Sequence, residues 1–366
     1  MNLIDDEGNL FGVVNVVDAL VVLFALAVVA AGAAFVLQPD STQPDEPNLG
    51  TTNVTVDLGT QPDYIATAID EGDTYSPSTN TQLTITDVYV SPRDDATAVV
   101  LRATLQGPVT EDTLSYSGAP PRLGRVLAIQ TDTYQVQGTI RDVGGSNQLQ
   151  TGNTPIVLRT MMSAEEAADL NAGERIRSGG RTVATVQDVS IYGTQNPEKR
   201  LVYLGLSLRT LNYEGLPHFG NTIVREGTSL SIYTDTDAVE GTVRRVGAAQ
   251  LRGTPTTQTV TLRMEGVMPE YADNVEVGMV AKSIRGETVA RILGVEREPA
   301  TVVLTSDDGH IYQRKHPVKQ DVMLTAELSV RQTTTGLTFK GRPLRQGSTV
   351  ILAFGDVTIR ATVVSL

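Results

Sequence analysis

Three stretches of this 366-residue chain follow one plan, and a plan repeated at this length leaves few folds open. Each stretch opens on an apolar run, "NVTVDLG", "PIVLRTM" or "TVTLRME". A helix-like segment follows, "QPDYIATAIDEG", "SAEEAADLNAG" or "MPEYADNVEVG", and it ends on Gly72, Gly173 or Gly278. Fifteen residues beyond that glycine come Asp87 in "TITDVYV" and Asp188 in "ATVQDVSI", and the third copy has "ARILGV" one residue later. The second half of each unit is stricter, since fourteen residues separate Gly124 from Gly138, Gly227 from Gly241 and Gly347 from Ala361. Between these marks Val, Ile, Leu and Thr alternate with polar residues, and Gly, Asp, Asn or Pro interrupt them every few positions. That is the pattern of short, half-buried strands. Units of roughly 100 residues can each close a core, unlike the 20–45-residue units of a solenoid.

The expected fold is therefore all-β, with three tandem small β-barrel or sandwich domains, each carrying a short helical turn, over 53–147, 154–250 and 257–366. Both halves of a unit share a glycine, strand, turn, strand order, which points to an internally duplicated barrel. Pro62 and Pro269 suit the first position of their helical turns, and Ser163 with Glu166 has the spacing of a capping box. The third unit carries an insertion at about 299–320 that reads as an extra hairpin turning at Asp308-Gly309.

Ahead of the repeats, Ala19 to Leu37 are nineteen residues without a charge or strong helix breaker. At 1.5 Å per residue they match the thickness of a hydrocarbon core, so one transmembrane helix is expected over 16–38. Asn15 and Asp18 have the spacing of an N-cap with a carboxylate three residues on, which places Asp18 at the headgroup level as a membrane-interface cap. A cleaved signal peptide is the rival reading, but Asp5, Asp6 and Glu7 stand where a signal needs basic residues. The segment 39–52, rich in Pro, Thr and acid, reads as a linker. Asn53-Val54-Thr55 is an N-glycosylation sequon, expected in that tether. The opening "LIDDEGNLFGVVNVVDALVVL" resembles an uncharacterised family of single-pass membrane proteins of bacteria and archaea. That family has an Ile-Asp-x-x-Gly-x-Leu-Phe-Gly-x-x-Asn-x-x-Asp signature, matched here by Ile4, Asp5, Gly8, Leu10, Phe11, Gly12, Asn15 and Asp18, so that 1–15 reads as the N-terminal signature segment ahead of the helix. The resemblance implies an external β-rich body and no known catalytic residue.

The formal charge is −13, and the 29 basic residues comprise 24 Arg and 5 Lys. An acidic chain of this kind lacks the basic face that nucleic acid requires. Arg in place of Lys, with abundant Asp and Thr, is a haloarchaeal type of composition, suited to high salt that screens self-repulsion. Zero Cys excludes disulfides and thiolate chemistry. His310 and His316 beside Asp307 and Asp308 match no zinc spacing, and His218 has no histidine counterpart in the third unit. Asp132, Asp235 and Asp356 read as turn residues. No catalytic, cofactor or metal site is expected.

These features point to a membrane-anchored structural or binding protein of the cell envelope, its β-domains outside the cell, contacting the lipid bilayer and protein or envelope partners but no nucleic acid. The alternative is an accessory or adaptor subunit of a membrane transport or secretion complex. A hydrolase acting on envelope polymers is a third and weaker reading.

Overall fold

In the computed structural model the alternating runs become antiparallel pairs. Residues 9–10, 14–36, 48–93, 96–233, 238–283, 286–305, 311–355 and 357–366 are described. In the first unit the strands are β1 (Leu49–Gln61), β2 (Thr74–Ser78), β3 (Thr81–Arg93), β4 (Ala96–Thr110), β5 (Val126–Gln130) and β6 (Gln135–Val143), in sheet order β2-β3-β4-β1-β6-β5. The second unit has β7 (Thr151–Ser163), β8 (Arg175–Ser178), β9 (Arg181–Gly193), β10 (Lys199–Tyr213), β11 (Leu216–Phe219), β12 (Ser229–Tyr233) and β13 (Ala238–Val246). Its order is β8-β9-β10-β7-β13-β12, with β11 hairpinned onto β10. The third has β14 (Thr254–Val267), β15 (Val280–Lys282), β16 (Thr288–Thr305), β17 (Ile311–Thr333), β18 (Gly336–Phe339), β19 (Thr349–Phe354) and β20 (Val357–Ser365), arranged in the same way. Each sheet is a nearly closed, barrel-like wrap, so the all-β, three-repeat expectation holds.

The repeated glycines explain why the units share a shape. Gly72, Gly173 and Gly278 all have φ near 92–94°, and each N–H donates to the carbonyl of Ile85 in β3, Val186 in β9 or Ile292 in β16. In the second half, Gly124, Gly227 and Gly347 repeat the device with Ile140, Val243 and Val363, each at 2.8 Å. The two halves of every unit are thus built alike around a left-handed turn residue. Gly138 answers a different demand, because a Cβ there would lie 2.5 Å from Val56.

The short helices α2 (Asp63–Ala68), α3 (Ala164–Asp169) and α4 (Pro269–Asp273) close one end of each unit and bury Ala66, Ala167 and Ala272. Ser163 caps α3 as expected: its Oγ accepts from the Glu166 N–H, and its own N–H donates to Glu166 Oε2 at 2.7 Å. Pro269 is the first residue of α4, whereas Pro62 stands one position earlier, as the N-cap of α2.

The expected unit boundaries are corrected. The sheets begin at Leu49, Thr151 and Thr254, so the first reaches into the segment read as linker. The insertion at 299–320 pairs as the expected antiparallel hairpin, Thr301–Thr305 with Ile311–Lys315, formed as an extension of β16 and β17, the third unit's counterparts of β3 and β4. Its Asp308-Gly309 turn lies outside the described residues. Finally, α1 (Val16–Val36) forms, with side chains described without a break over 20–33, but among the described residues no helix is long and apolar enough to cross a membrane.

The units are less independent than a row of separate domains. Buried side chains of the first two form one hydrophobic cluster, from Val54 and Leu101 to Leu206 and Val243. The third keeps its own around Leu262, Ile292, Leu324 and Leu328. A small cluster of Val157, Leu201 and Tyr203, with Tyr192 packed against it, lies toward the third unit.

Candidate functional site

The polar chemistry of the body collects where units meet. At the first junction the pattern of β3 decides the outcome: Val88 and Val90 face the unit's own core, which leaves Tyr89 and Ser91 on the opposite face, yet all four are at most 1 % exposed. The second unit covers that face. The Tyr89 hydroxyl donates toward the carbonyls of Arg209 and His218 and accepts from the Gly220 N–H, all at 3.3–3.4 Å. Burial pushes its pKa up to about 12, so it remains a donor at any physiological pH.

Beside it, the turn between β8 and β9 presses on α2. Gly179 has φ +52°, and a Cβ on it would lie 2.8 Å from that of Ala66. Glycine is required there by conformation and by space together. Thr97 donates to Asp63 Oδ1, so the proton in its 2.5 Å contact with Ser178 comes from the serine. Arg181 then donates to the carbonyls of Ala66 at 3.1 Å and Ile69 at 2.5 Å, the bare C-terminal acceptors of α2, and pairs with Asp70.

The second junction uses the same parts in altered form. Tyr203 donates to the Lys340 carbonyl at 3.1 Å, and Tyr192 stacks edge-on against it at 6.2 Å between centroids. Lys340 sends its ammonium back under the junction, to the carbonyls of Ile351 at 2.7 Å and Gly193 at 3.4 Å. Burial alone lowers its pKa, to about 8.

A cleft opens at each junction. One of about 300 Å³ lies among Ser91, Arg93, Asn221 and Tyr233. The larger, about 620 Å³, lies between β9 and the turn that joins β15 to β16, among Asp188, Ser190, Thr257, Glu287 and Arg331. Both clefts are hydroxyl-rich; the smaller is lined by one charged side chain, Arg93, and the larger by both signs of charge, Asp188 and Glu287 with Arg331.

The residues singled out in the sequence lie elsewhere. Asn15 is the last residue before α1, and Asp18 stands exposed in its first turn. Asn53 is not in a tether. It sits within β1, with Nδ2 donating to the Gly145 carbonyl at 2.9 Å and Oδ1 accepting from Thr104, so a glycan on that nitrogen would displace a strand-to-linker bond. His218 lies at the first junction but contributes its backbone carbonyl, while its ring Nδ1 is 3.0 Å from the Leu216 carbonyl. His316 Nδ1 accepts from the Val318 and Lys319 N–H groups. Asp132 is exposed beside the tip of the β5–β6 hairpin, whereas His310, Asp235, Asp307, Asp308 and Asp356 lie outside the described residues. Among those described, no three His, Asp or Glu side chains are grouped to hold a metal ion.

The junction residues Tyr89, Arg181, Tyr203 and Lys340 were missed. The available signal was departure from the repeat: a bulky Tyr at an outward strand position, and a Gly-Gly-Arg turn in one unit only.

Comparison with known proteins gives one match. The family model described as Domain of unknown function (DUF4330) matches residues 1–100 and 242–366. These cover the N-terminal segment with the first half of the first unit, the close of the second unit and all of the third. No curated protein and no solved structure matches the chain.

Proposed function

We propose, from the premise that the chain belongs to the DUF4330 family, that it is a membrane-moored strut or binding protein: α1 holds it in the bilayer, and the three joined β units present their junctions to partners on the outer side. The observation that carries this reading is the coverage of α1. Leu20 to Leu23, Phe24, Leu26, Val28 and Val29 are all more than half exposed, on every face of the helix. An all-round apolar helix is stable only when it is buried, in protein or in lipid. From Val16 to Val36 its backbone runs about 31 Å at 1.5 Å per residue. Asp18, in the first turn, would then meet the free N–H groups and positive dipole end at the headgroups. The reading assigns no reaction to the β units, and it takes the acidic, Arg-rich surface as suited to high salt.

The adaptor reading is favoured by a separate observation. The ribbon of β16 and β17 exposes Val303 at 65 % and Ile311 at 72 %, apolar contacts that suit a partner protein.

Carbonate extraction of membranes followed by protease treatment of intact cells tests the proposal. The full chain is expected to stay with the membrane pellet, and external protease to remove the β units. Release of the intact chain into the carbonate supernatant would overturn the anchor, and complete protection from protease would overturn the outward placement.

A further inference from the structure

The junction chemistry recurs at the two outer ends of the three-unit body, and there each half of it is satisfied from within. At both interior junctions the receiving unit's tyrosine donates into the hairpin tip of the next unit: Tyr89 to the His218 carbonyl, Tyr203 to the Lys340 carbonyl. The first unit has the same tip. Tyr116, Phe219 and Phe339 each stand eight residues before Gly124, Gly227 and Gly347, and the turn that follows has the same left-handed pair, Ser117 and Gly118 at φ 48° and 78° against Lys340 and Gly341 at 49° and 69°. Here Arg125 fills the tip, donating to the carbonyls of Tyr116 at 2.7 Å, Ala119 at 2.5 Å and Pro120 at 3.2 Å, and at 3.5 Å to that of Ser117, the counterpart of Lys340. The corresponding residues after Gly227 and Gly347 are Thr228 and Ser348, too short to reach across a hairpin.

The opposite end mirrors this. At the first junction Arg181, from the neighbouring unit, caps the Ala66 and Ile69 carbonyls. In the third unit the corresponding carbonyls, of Ala272 and Val275, are capped at 3.0 and 2.8 Å by that unit's own Arg297. Counted from the bulge that follows Ile85 and Ile292, Glu296 and Glu298 occupy the places of Tyr89 and Ser91, the two side chains that the first junction buries. A carboxylate at such a place resists burial unless a cation accompanies it. Terminal units of repeat proteins need a polar outer face of this kind.

We propose that Arg125 at one end, and Glu296, Arg297 and Glu298 at the other, are end caps that stop the junction chemistry from joining a second copy of this chain head to tail. Such a contact would be heterologous and would not close on itself, so without caps it would grow as a filament. The inference is independent of whether α1 lies in a membrane.

The test uses the full 366-residue chain in detergent micelles, carrying Arg125→Thr, Glu296→Tyr, Arg297→Val and Glu298→Ser, which remove the caps and put the residues of Thr228, Tyr89, Val90 and Ser91 in their places. Sedimentation of this variant is expected to show a mean mass rising at least twofold with concentration, while the wild-type mass stays constant. A chain without cysteine allows a second readout. Ser117→Cys on one copy and Pro299→Cys on another, with all four caps kept, are expected to give no more oxidative cross-linking than chance collision. If the fourfold variant does not fold, Arg125→Thr alone is mixed with the three-residue variant, and a one-to-one complex is expected only in the mixture. A folded variant that keeps the wild-type mass would overturn the proposal. So would a chain with all four caps that cross-links efficiently between positions 117 and 299.

Discussion

The Tyr116 hydroxyl is buried without a hydrogen-bond partner, where Phe219 and Phe339 hold the matching places in the other units. Desolvating a hydroxyl costs free energy that only a bond returns. Tyr116→Phe should therefore raise stability by about 1 kcal/mol in urea denaturation, and a loss would show that the hydroxyl is satisfied in solution. Lys340 argues the same point with a charge. Its pKa falls to about 8 through burial, against 10.5 for the unperturbed group, so between those pH values the unfolded chain holds a proton that the folded chain lacks. Stability then rises with pH across that window, and below pH 8 the full penalty of the buried ammonium is present. Lys340→Met removes the titration: its thermal midpoint should exceed that of the wild type at pH 7, with the gap narrowing steadily toward pH 10. A gap that is constant with pH would mean that Lys340 is hydrated in the folded chain.

Among the elements, the β8–β9 turn is the most exacting, because Gly179 must be left-handed and lie against Ala66 at once. Gly179→Val would drive its branches into α2 and part the first two units, at a cost of about 2–3 kcal/mol for an overpacked site. Hydrogen exchange should then accelerate at Tyr89 to Ser91 and stay unchanged in β14 and β17. Legibility divides along the same line. Glycine spacing and alternation made the strands, the helical turns and the capping box of Ser163 readable, since each follows from contacts within one unit. The junctions were not readable. Alternation assigns Tyr89 and Ser91 to solvent once Val88 and Val90 take the core, and only a neighbouring unit, folded and docked, reverses that assignment. Asn53 failed for a related reason: polar Thr and Asn before it look like tether, but Thr51 to Asn53 are paired along β4 by backbone bonds that no side-chain pattern records.

At the scale of the whole molecule, the distribution of core predicts how it comes apart. The first two units share one hydrophobic cluster, while the third keeps its own and meets the second through the Tyr203 patch and a few polar bonds. Cooperative units in a repeat array are set by the balance of intrinsic and interface terms, and here the interface is strong on one side only. Calorimetry of the full chain should resolve two transitions, with enthalpies near two to one because unfolding enthalpy scales with the number of residues. Leu101→Ala should lower only the larger transition and Leu324→Ala only the smaller, each by the 2–5 kcal/mol typical of a buried leucine. A single transition that both substitutions shift equally would mean that the second junction couples the units as tightly as the first, and that Tyr203 and Lys340 together do the work of a continuous core.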